Sequence, residues 1–243
     1  MDRLTITAAS GLRARMESME LLANNLANAS AAGYKMDREF YGLYVAPEAE
    51  GAMVSQLPVI ERQWTDFSQG TLTPTGNSLD LALSGDGFFA VNSPSGTLYT
   101  RYGGFRLSAK GTLETKEGYA VRAVGGGTLT ADPARPIEIG ADGTVRQQGA
   151  ELGRIEVVQP ADLSALSKQS GLYFQMDPKS GAGVSAGSAE FRQGTLENSN
   201  VGTAESAVRM ISVLRQFEML QRAITLGAEM NRRGVEEVAR VSQ

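Results

Sequence analysis

Two aspartates on either side of a short apolar run are the residues with the clearest potential for chemistry. Asp80 and Asp86 could form the carboxylate pair that glycoside hydrolysis requires. The 243 residues include no histidine and no cysteine, which excludes Ser-His triads, cysteine nucleophiles, disulfides and zinc sites built on those residues. Neither aspartate lies in an evident pocket, so we interpret Asp86 as a turn residue and Asp80 as a structural hydrogen-bond acceptor. A carbohydrate-active β-domain enzyme that uses Asp80 or Asp86 is kept as a remote alternative.

The remaining candidates for chemistry are weaker. The run Gly125-Gly126-Gly127 is followed by Thr128 rather than by a helix, which favours a hairpin tip over a phosphate-binding loop. Calcium-loop spacing of carboxylates is absent, and basic residues form no run longer than Arg232-Arg233 in a chain of net charge −4. The sequence therefore predicts no catalytic residue, no cofactor, no metal site, no nucleic-acid partner and no small-molecule substrate.

The distribution of helix breakers divides the chain into three parts. All eight prolines lie between Pro47 and Pro178, so both ends can form long helices. We predict an α+β protein in which long N- and C-terminal helices pack as a coiled-coil stalk around a central antiparallel β domain. The predicted segments are an N-terminal helix (1–36) with a stop near Gly33, an extended connector (37–74), the β domain (75–192), a second connector (193–202) and a C-terminal helix (203–243).

Both predicted helices carry an apolar seam, which we define as the positions spaced alternately by three and four residues. The N-terminal seam comprises Ala9, Leu12, Met16, Met19, Ala23 and Leu26. The C-terminal seam comprises Met210, Val213, Phe217, Leu220 and Ile224, widened by Ile211 and Leu214. This spacing is typical of helices that pack as coiled coils. We expect the two helices to pair, and the apolar surface left over to contact other subunits.

The middle of the chain reads as short strands separated by glycine turns. Such alternation predicts an antiparallel β domain. The predicted strands are Leu79–Leu83, Phe88–Val91, Thr97–Thr100, Phe105–Leu107, Thr112–Thr115, Tyr119–Val124, Thr144–Gln147 and Ile155–Gln159. A brief helical turn is expected within Asp162–Leu166. The tetrapeptide that begins at Gln69 recurs at Gln193, and we interpret the two copies as matching connectors.

Three stretches, taken together and in order, resemble the flagellar basal-body rod and hook proteins of bacteria. They lie near the N-terminus, at the entry into the β domain and just before the C-terminal helix, so they span nearly the whole chain. The residues that carry the resemblance are Asn24, Asn25, Leu26, Asn28, Gly33, Gly76, Leu79, Asp80, Gly85, Gly87, Phe88, Asn198, Ser199, Asn200 and Val201. Within the family, the segments Trp64–Gly70 and Arg215–Met219 look most like a proximal-rod member.

The resemblance implies a structural subunit of the periplasmic rod rather than an enzyme. It implies polymerisation through the terminal helices, torque transmission, and partners that are copies of itself and other proximal- and distal-rod proteins. It also implies passage through the flagellar export apparatus without a cleaved signal peptide. The expected interface residues are Leu12, Met16, Met19, Leu26, Met210, Val213, Phe217, Leu220 and Ile224. A distal-rod or hook subunit of the same family is the nearer alternative.

Overall fold

A computed structural model describes residues 3–45, 56–177, 184–185 and 189–241 of the chain. The protein forms two compact units, each assembled from segments far apart in the sequence. The first comprises Met1–Ala27, Asp37–Asp66 and Gly202–Gln243, and the second comprises Asn28–Met36 and Phe67–Val201. No helix within the described ranges combines the length and the apolar character needed to cross a lipid bilayer.

The first unit contains two long helices and one hairpin. Helix α1 (Arg3–Ala27) packs against α2 (Thr203–Val241) and against the antiparallel strands β1 (Asp37–Val45) and β2 (Gln56–Thr65). Neither helix contains proline, which would remove a backbone hydrogen bond. Glu205 lies in the first turn of α2, where the positive end of the helix dipole favours a carboxylate.

The buried face of α1 consists mostly of small or polar residues. Its members are Ala8, Gly11, Ala14, Ser18, Leu21, Leu22 and Asn25. Most of them precede a position of the predicted seam by one residue, which corresponds to a rotation of about 100° around the helix. Small side chains allow close approach of the elements that cover this face, while the larger seam residues are directed to another side of α1.

The second unit is an antiparallel β domain. Its strands are β3 (Leu72–Pro74), β4 (Leu81–Ser84), β5 (Phe88–Ser93), β6 (Gly96–Thr100), β7 (Arg106–Leu107), β8 (Leu113–Glu114), β9 (Ala120–Val121), β10 (Glu138–Ile139), β11 (Thr144–Gln147), β12 (Ala150–Arg154), β13 (Val157–Gln159), β14 (Leu166–Ser170), β15 (Tyr173–Met176), β16 (Val184–Ser185), β17 (Glu190–Gln193) and β18 (Thr195–Glu197).

The largest sheet of the β domain has the order β14-β15-β6-β5-β9-β8-β7, with β13 pairing both β5 and β16. A three-stranded sheet has the order β10-β11-β12. The last two strands return to the first two, since β17 pairs with β4 and β18 pairs with β3. The segment Phe67–Val201 therefore begins and ends the β domain with one pair of adjacent strands.

Two apolar clusters fill the β domain. The larger cluster includes the fully buried Leu81, Phe89 and Val121. In the smaller one the rings of Phe67, Phe88 and Phe174 meet edge to face, with centroids 5.1–5.9 Å apart. Edge-to-face contacts add to the stabilisation that burial of aromatic surface supplies.

The α+β class and the central antiparallel β domain are confirmed. The strand Thr144–Gln147 has the predicted bounds, and a 3-10 turn at Leu163–Ala165 lies within the predicted helical turn. The two copies of the repeated tetrapeptide reach the paired strands β3 and β18 but are not opposite each other, because Leu72 pairs with Glu197 and Leu196 pairs with Thr73.

Two boundaries differ from the predictions. Helix α1 ends at Ala27 and not near Gly33, which instead has φ +70° in the turns that follow the helix. The segment 37–74, predicted as an extended connector, contains the β1–β2 hairpin. This pairing was not predicted from the sequence, because the two strands are separated by ten residues and lack the two-residue turn motif that marks a short hairpin.

Candidate functional site

A charge cluster of Lys35, Arg101 and Glu197 lies buried in the β domain. The Lys35 Nζ donates to Glu197 Oε1 at 2.6 Å, and Arg101 Nη1 donates to Glu197 Oε2 at 3.2 Å. The side chains of Lys35 and Glu197 are fully buried, and that of Arg101 is 4% exposed. One carboxylate thus pairs with two cations supplied by distant parts of the chain.

Backbone groups add further hydrogen bonds to this cluster. Lys35 Nζ also donates to the Ser68 carbonyl at 2.6 Å, and the Gly70 N–H donates to Glu197 Oε1 at 2.9 Å. Arg101 Nη2 donates to the Gly85 carbonyl at 2.8 Å, and its guanidinium lies over the ring of Phe88. Burial lowers the pKa of Arg101, and the neighbouring Glu197 carboxylate opposes that shift. Arg101 remains a cation despite this lowered pKa, because the ordinary pKa of arginine is very high.

A second layer of contacts holds the segment that carries Lys35. The Gly33 N–H donates to the Glu197 carbonyl at 2.7 Å, and the Met36 N–H donates to Asn200 Oδ1 at 2.8 Å. Lys168 Nζ donates to the Lys35 carbonyl at 2.8 Å and lies 4.3 Å from the ring centroid of Tyr34. Residues 33–36 are therefore fixed to the β domain through both backbone and side chains.

Gly33 must be glycine at this place for two reasons. Its φ is +70°, and a Cβ there would lie 2.4 Å from the backbone nitrogen of Tyr102. Side chains other than hydrogen are disfavoured at positive φ and cannot enter occupied space. The close approach of two backbones explains the glycine that sequence analysis assigned to a helix end.

Several residues of the family resemblance converge on the charge cluster or its surroundings. Gly85 accepts from Arg101, Phe88 lies beneath that guanidinium, and the Asn200 side chain links Met36 to Ser68. The Asn198 N–H donates to the Thr71 carbonyl, and its amide side chain donates to Thr73 Oγ1 at 2.9 Å. Ser199 Oγ accepts from the N–H of the buried Val201.

Other residues of the resemblance stabilise turns. Asp80 Oδ2 accepts from Thr75 Oγ1 at 2.6 Å, and Asp80 Oδ1 accepts from Asn77 Nδ2 at 3.0 Å. Gly76 has φ +76° in the same turn, and Leu79 packs against the larger apolar cluster. Gly87 has φ +135° at the start of β5. The structural role predicted for Asp80 is confirmed, and both of its carboxylate oxygens are engaged.

In the first unit, Asn25 joins the end of α1 to the start of β1. Its Nδ2 donates to the Asp37 carbonyl at 2.7 Å, and its Oδ1 accepts from the Asp37 N–H at 2.9 Å.

The adjacent Asn24 is exposed and lines a groove of about 230 Å³ together with Glu17 and Glu20. No three acidic side chains within the described ranges converge closely enough to hold a metal ion. The Asn28 carbonyl accepts from the Ala31 N–H in the turn after α1.

The nine predicted interface residues lie in different environments. Met16 and Leu26 are 49% and 37% exposed, and Val213 is buried. The half-buried residues are Leu12, Met19, Met210, Phe217, Leu220 and Ile224. The predicted seam of α2 thus lies on the partly covered side of that helix, whereas the seam of α1 lies beside its buried face.

A second apolar stripe on α2 was not part of the predicted interface. Val208, Ile211, Met219, Leu226 and Met230 are 52–73% exposed and fall on one side of the helix at 3.6 residues per turn. Sequence analysis detected only Ile211, because Arg215 and Arg222 interrupt the apolar periodicity of this stripe. Large exposed apolar side chains that share one face mark an interaction surface.

Comparison with known proteins places the chain in a family. Residues 7–35 match the family model described as flagella basal body rod protein, residues 82–147 match the flagellar hook protein FlgE/F/G D1 domain, and residues 192–236 match the flagellar basal body rod FlgEFG protein C-terminal domain. These three matches cover both terminal helices and much of the β domain.

Relatives match over nearly their full length. The flagellar basal-body rod protein FlgF of Caulobacter vibrioides is 31% identical over 246 residues, covering 100% of both chains. The flagellar basal-body rod protein FlgG of Borreliella burgdorferi is 33% identical over 261 residues, covering 95% of this chain and 96% of the relative. FlgG of Bacillus subtilis is 29% identical over 255 residues, covering 95% and 97%.

The fold defines an α+β protein whose terminal helices pair and whose central segment forms an antiparallel β domain. The chain belongs to the flagellar basal-body rod protein family. It is a structural rod protein and not an enzyme. The alternative of a carbohydrate-active enzyme that uses Asp80 or Asp86 is therefore wrong.

Sequence analysis missed the charge cluster. Lys35 and Glu197 are 162 positions apart, and isolated charged residues ordinarily indicate solvated surface. The available signal was the position of both residues within or beside the stretches of the family resemblance. A buried charge requires a partner of opposite charge. The partner of Lys35 could therefore have been sought among the acidic residues of the same three stretches.

Proposed function

We propose that this protein is a proximal-rod subunit of the FlgF type, which polymerises through its terminal helices to transmit torque across the periplasm. The observation that carries the proposal is the exposed apolar stripe on α2, together with Met16 and Leu26 on α1. These side chains remain uncovered after α1, α2 and the β1–β2 hairpin have packed together. Apolar surface of this kind is stabilised when a neighbouring subunit removes it from water.

The distribution of the exposed residues suits an open assembly. The surface on α1 differs from the surface on α2, and contacts between non-identical patches propagate as helical arrays when they do not close into rings. Packing of many long helices by knobs into holes would give the array torsional stiffness. The predicted seam of α2 lies on the partly covered side of that helix, and the seam of α1 contributes to contacts between subunits.

The proposed partners are further copies of this chain and other proximal- and distal-rod proteins, with the flagellar export apparatus as a transient partner. Export through the growing structure accords with a chain that has no cysteine to form incorrect disulfides in an oxidising compartment. The full-length match to a FlgF protein and the segments Trp64–Gly70 and Arg215–Met219 favour the proximal position. A distal-rod subunit is the second candidate, because FlgG relatives also match over nearly the whole chain.

The assembly surface is tested by replacing Met219 and Leu226 with aspartate in a strain that lacks its own copy of the gene. Both residues are 60% exposed, so the double variant should fold but should fail to enter isolated basal bodies and should not restore motility. The matched control replaces Gln221 and Ala228 with aspartate. These two exposed residues have the same spacing as Met219 and Leu226 but lie on another side of α2. Normal incorporation of M219D/L226D would show that this stripe is not the assembly surface.

The proposed position is tested by image reconstruction of purified basal bodies that contain the protein. Density for the β domain in the proximal part of the rod is the expected result. Density confined to the distal rod or the hook would contradict the proximal-rod position and would support a distal-rod or hook subunit instead. The proposed assembly through the terminal helices would be unaffected by that result.

A further inference from the structure

The charge cluster joins the earliest and the latest parts of the β domain. Lys35 precedes the first strand of the domain, Arg101 follows β6, and Glu197 is the last residue of β18. The two ion pairs therefore connect residues separated by 162 and 96 positions. A chain that ends before residue 197 therefore contains both cations of the cluster but lacks its carboxylate.

Glu197 compensates charges that would otherwise be buried without a counter-ion. It accepts from both cations and from the Gly70 N–H, and its carbonyl accepts from the Gly33 N–H. Asp86 also acts electrostatically on Arg101 but is itself exposed. Burial of an uncompensated ammonium group is strongly unfavourable. Lys35 can therefore occupy its buried position only when Glu197 is in place.

We infer that Glu197 acts as a folding latch, so that residues 33–36 dock onto the β domain only after strands β17 and β18 have paired with β4 and β3. A chain that emerges N-terminus first presents Lys35 and Arg101 long before Glu197. During that interval the segment after α1 stays undocked, and arrival of the C-terminal edge of the domain closes it. The inference concerns folding order and does not depend on how subunits assemble.

The latch makes a local prediction that differs from a general loss of stability. In full-length Glu197→Gln the side chain keeps its shape but loses its charge, so residues 33–36 should undock while the large sheet persists. Amide hydrogen exchange at Gly33, Met36 and Gly70 should accelerate on the order of 100-fold, because a buried pair has lost one partner. The N–H groups of Ala90 and Arg122, which bond within the large sheet region, serve as the reference and should be unchanged.

Trypsin provides an independent readout of the same opening. Lys35 is fully buried in the intact protein, and undocking would expose the Lys35–Met36 bond to cleavage. The matched control is Glu190→Gln, because Glu190 in β17 is an exposed glutamate whose carboxylate lies 3.6 Å from the exposed Arg192. The control should retain the exchange rates and trypsin resistance of the unaltered protein. Equal acceleration at Ala90 and Arg122 in E197Q, or no acceleration at Gly33, would overturn the latch.

Native-state exchange of the unaltered protein keeps the inference testable if E197Q does not fold. In rising sub-denaturing urea, Gly33, Met36 and Gly70 should exchange through one common opening that needs less denaturant than the opening of Ala90. A single transition shared by all four amides would show that the segment and the sheet form one cooperative unit, and it would overturn the latch.

Discussion

At the scale of single residues, glycine matters where two backbones meet. Gly33 and Gly76 have nearly the same φ, +70° and +76°, but different surroundings. A Cβ at Gly33 would collide with the backbone of Tyr102 and Arg101, whereas nothing lies within 4 Å of a Cβ at Gly76. The pair therefore separates the cost of a positive φ from the cost of crowding.

Replacement of each glycine by alanine should give unequal losses of stability. Gly76→Ala should lower the free energy of unfolding by about 1 kcal/mol, the cost of left-handed backbone for an L-residue. Gly33→Ala should lose about 2 kcal/mol more, because the added methyl group forces backbone to move. Urea denaturation followed by circular dichroism measures both. Equal losses in the two variants would mean that the approach of residue 33 to Tyr102 carries no energetic weight.

At the scale of elements, α1 divides its circumference between two tasks. Ala8, Gly11, Ala14 and Ser18 lie on the face that packs inside the first unit, and the larger Leu12, Met16 and Met19 lie on the neighbouring side. Ser18 donates to Glu39 on β1 at 3.0 Å, and Arg209 on α2 donates to the same carboxylate at 2.7 Å. One buried carboxylate thus joins both helices and the hairpin.

Two alanines on this helix should respond unequally to enlargement. Ala14 is 4% exposed, so Ala14→Leu should overpack the inner face and lower the stability of the subunit by about 1–3 kcal/mol. Ala23 is exposed, and Ala23→Leu should change subunit stability by less than about 0.5 kcal/mol. Thermal unfolding monitored by helical circular dichroism distinguishes them. The assignment of the inner face would fail if A23L were the more damaging change.

The elements also show how far sequence patterns reach. Helix positions and eight of the sixteen described strands of the β domain followed from proline distribution, apolar spacing and turn residues, and Thr144–Gln147 was placed correctly. The buried face of α1 was not predicted, because Ala, Gly and Ser contribute little to hydrophobic periodicity. The larger Leu and Met residues dominate that periodicity and lie on the neighbouring side. The charge cluster was not predicted, because contact between Lys35 and Glu197 depends on the pairing of β3 with β18. No local sequence pattern specifies that pairing.

At the scale of the whole molecule, stability should decline in alkali. Burial raises the pKa of Tyr99, Tyr102 and Tyr173, and for Tyr173 a hydrogen bond to Glu117 raises it further. An unfolded tyrosine loses its proton near pH 10, below the pKa of the folded state. The unfolded chain then binds fewer protons than the folded chain, so the free energy of unfolding falls as pH rises above about 10.

Tyr173→Phe should reduce this alkaline loss. At pH 8 the variant lacks the hydrogen bond to Glu117 and should be less stable by about 1 kcal/mol. Between pH 9 and pH 11 it should lose about 1 kcal/mol less than the unaltered protein, since one tyrosine no longer titrates. Urea denaturation at a series of pH values measures the two slopes. Parallel slopes would show that Tyr173 does not contribute to the pH dependence.

The pairing of β3 with β18 also has a mechanical consequence. Leu72 faces Glu197 at the end where the chain enters and leaves, and Pro74 faces Thr195 at the other end. A pulling force that separates residues 71 and 198 would open this ladder like a zipper, one pair at a time. The charge cluster lies at the end where such opening begins, since Glu197 is held there by Lys35 and Gly70. Opening at this end must therefore break the hydrogen bond between the Asn198 N–H and the Thr71 carbonyl and the contacts of one buried carboxylate before the β3–β18 pairs separate.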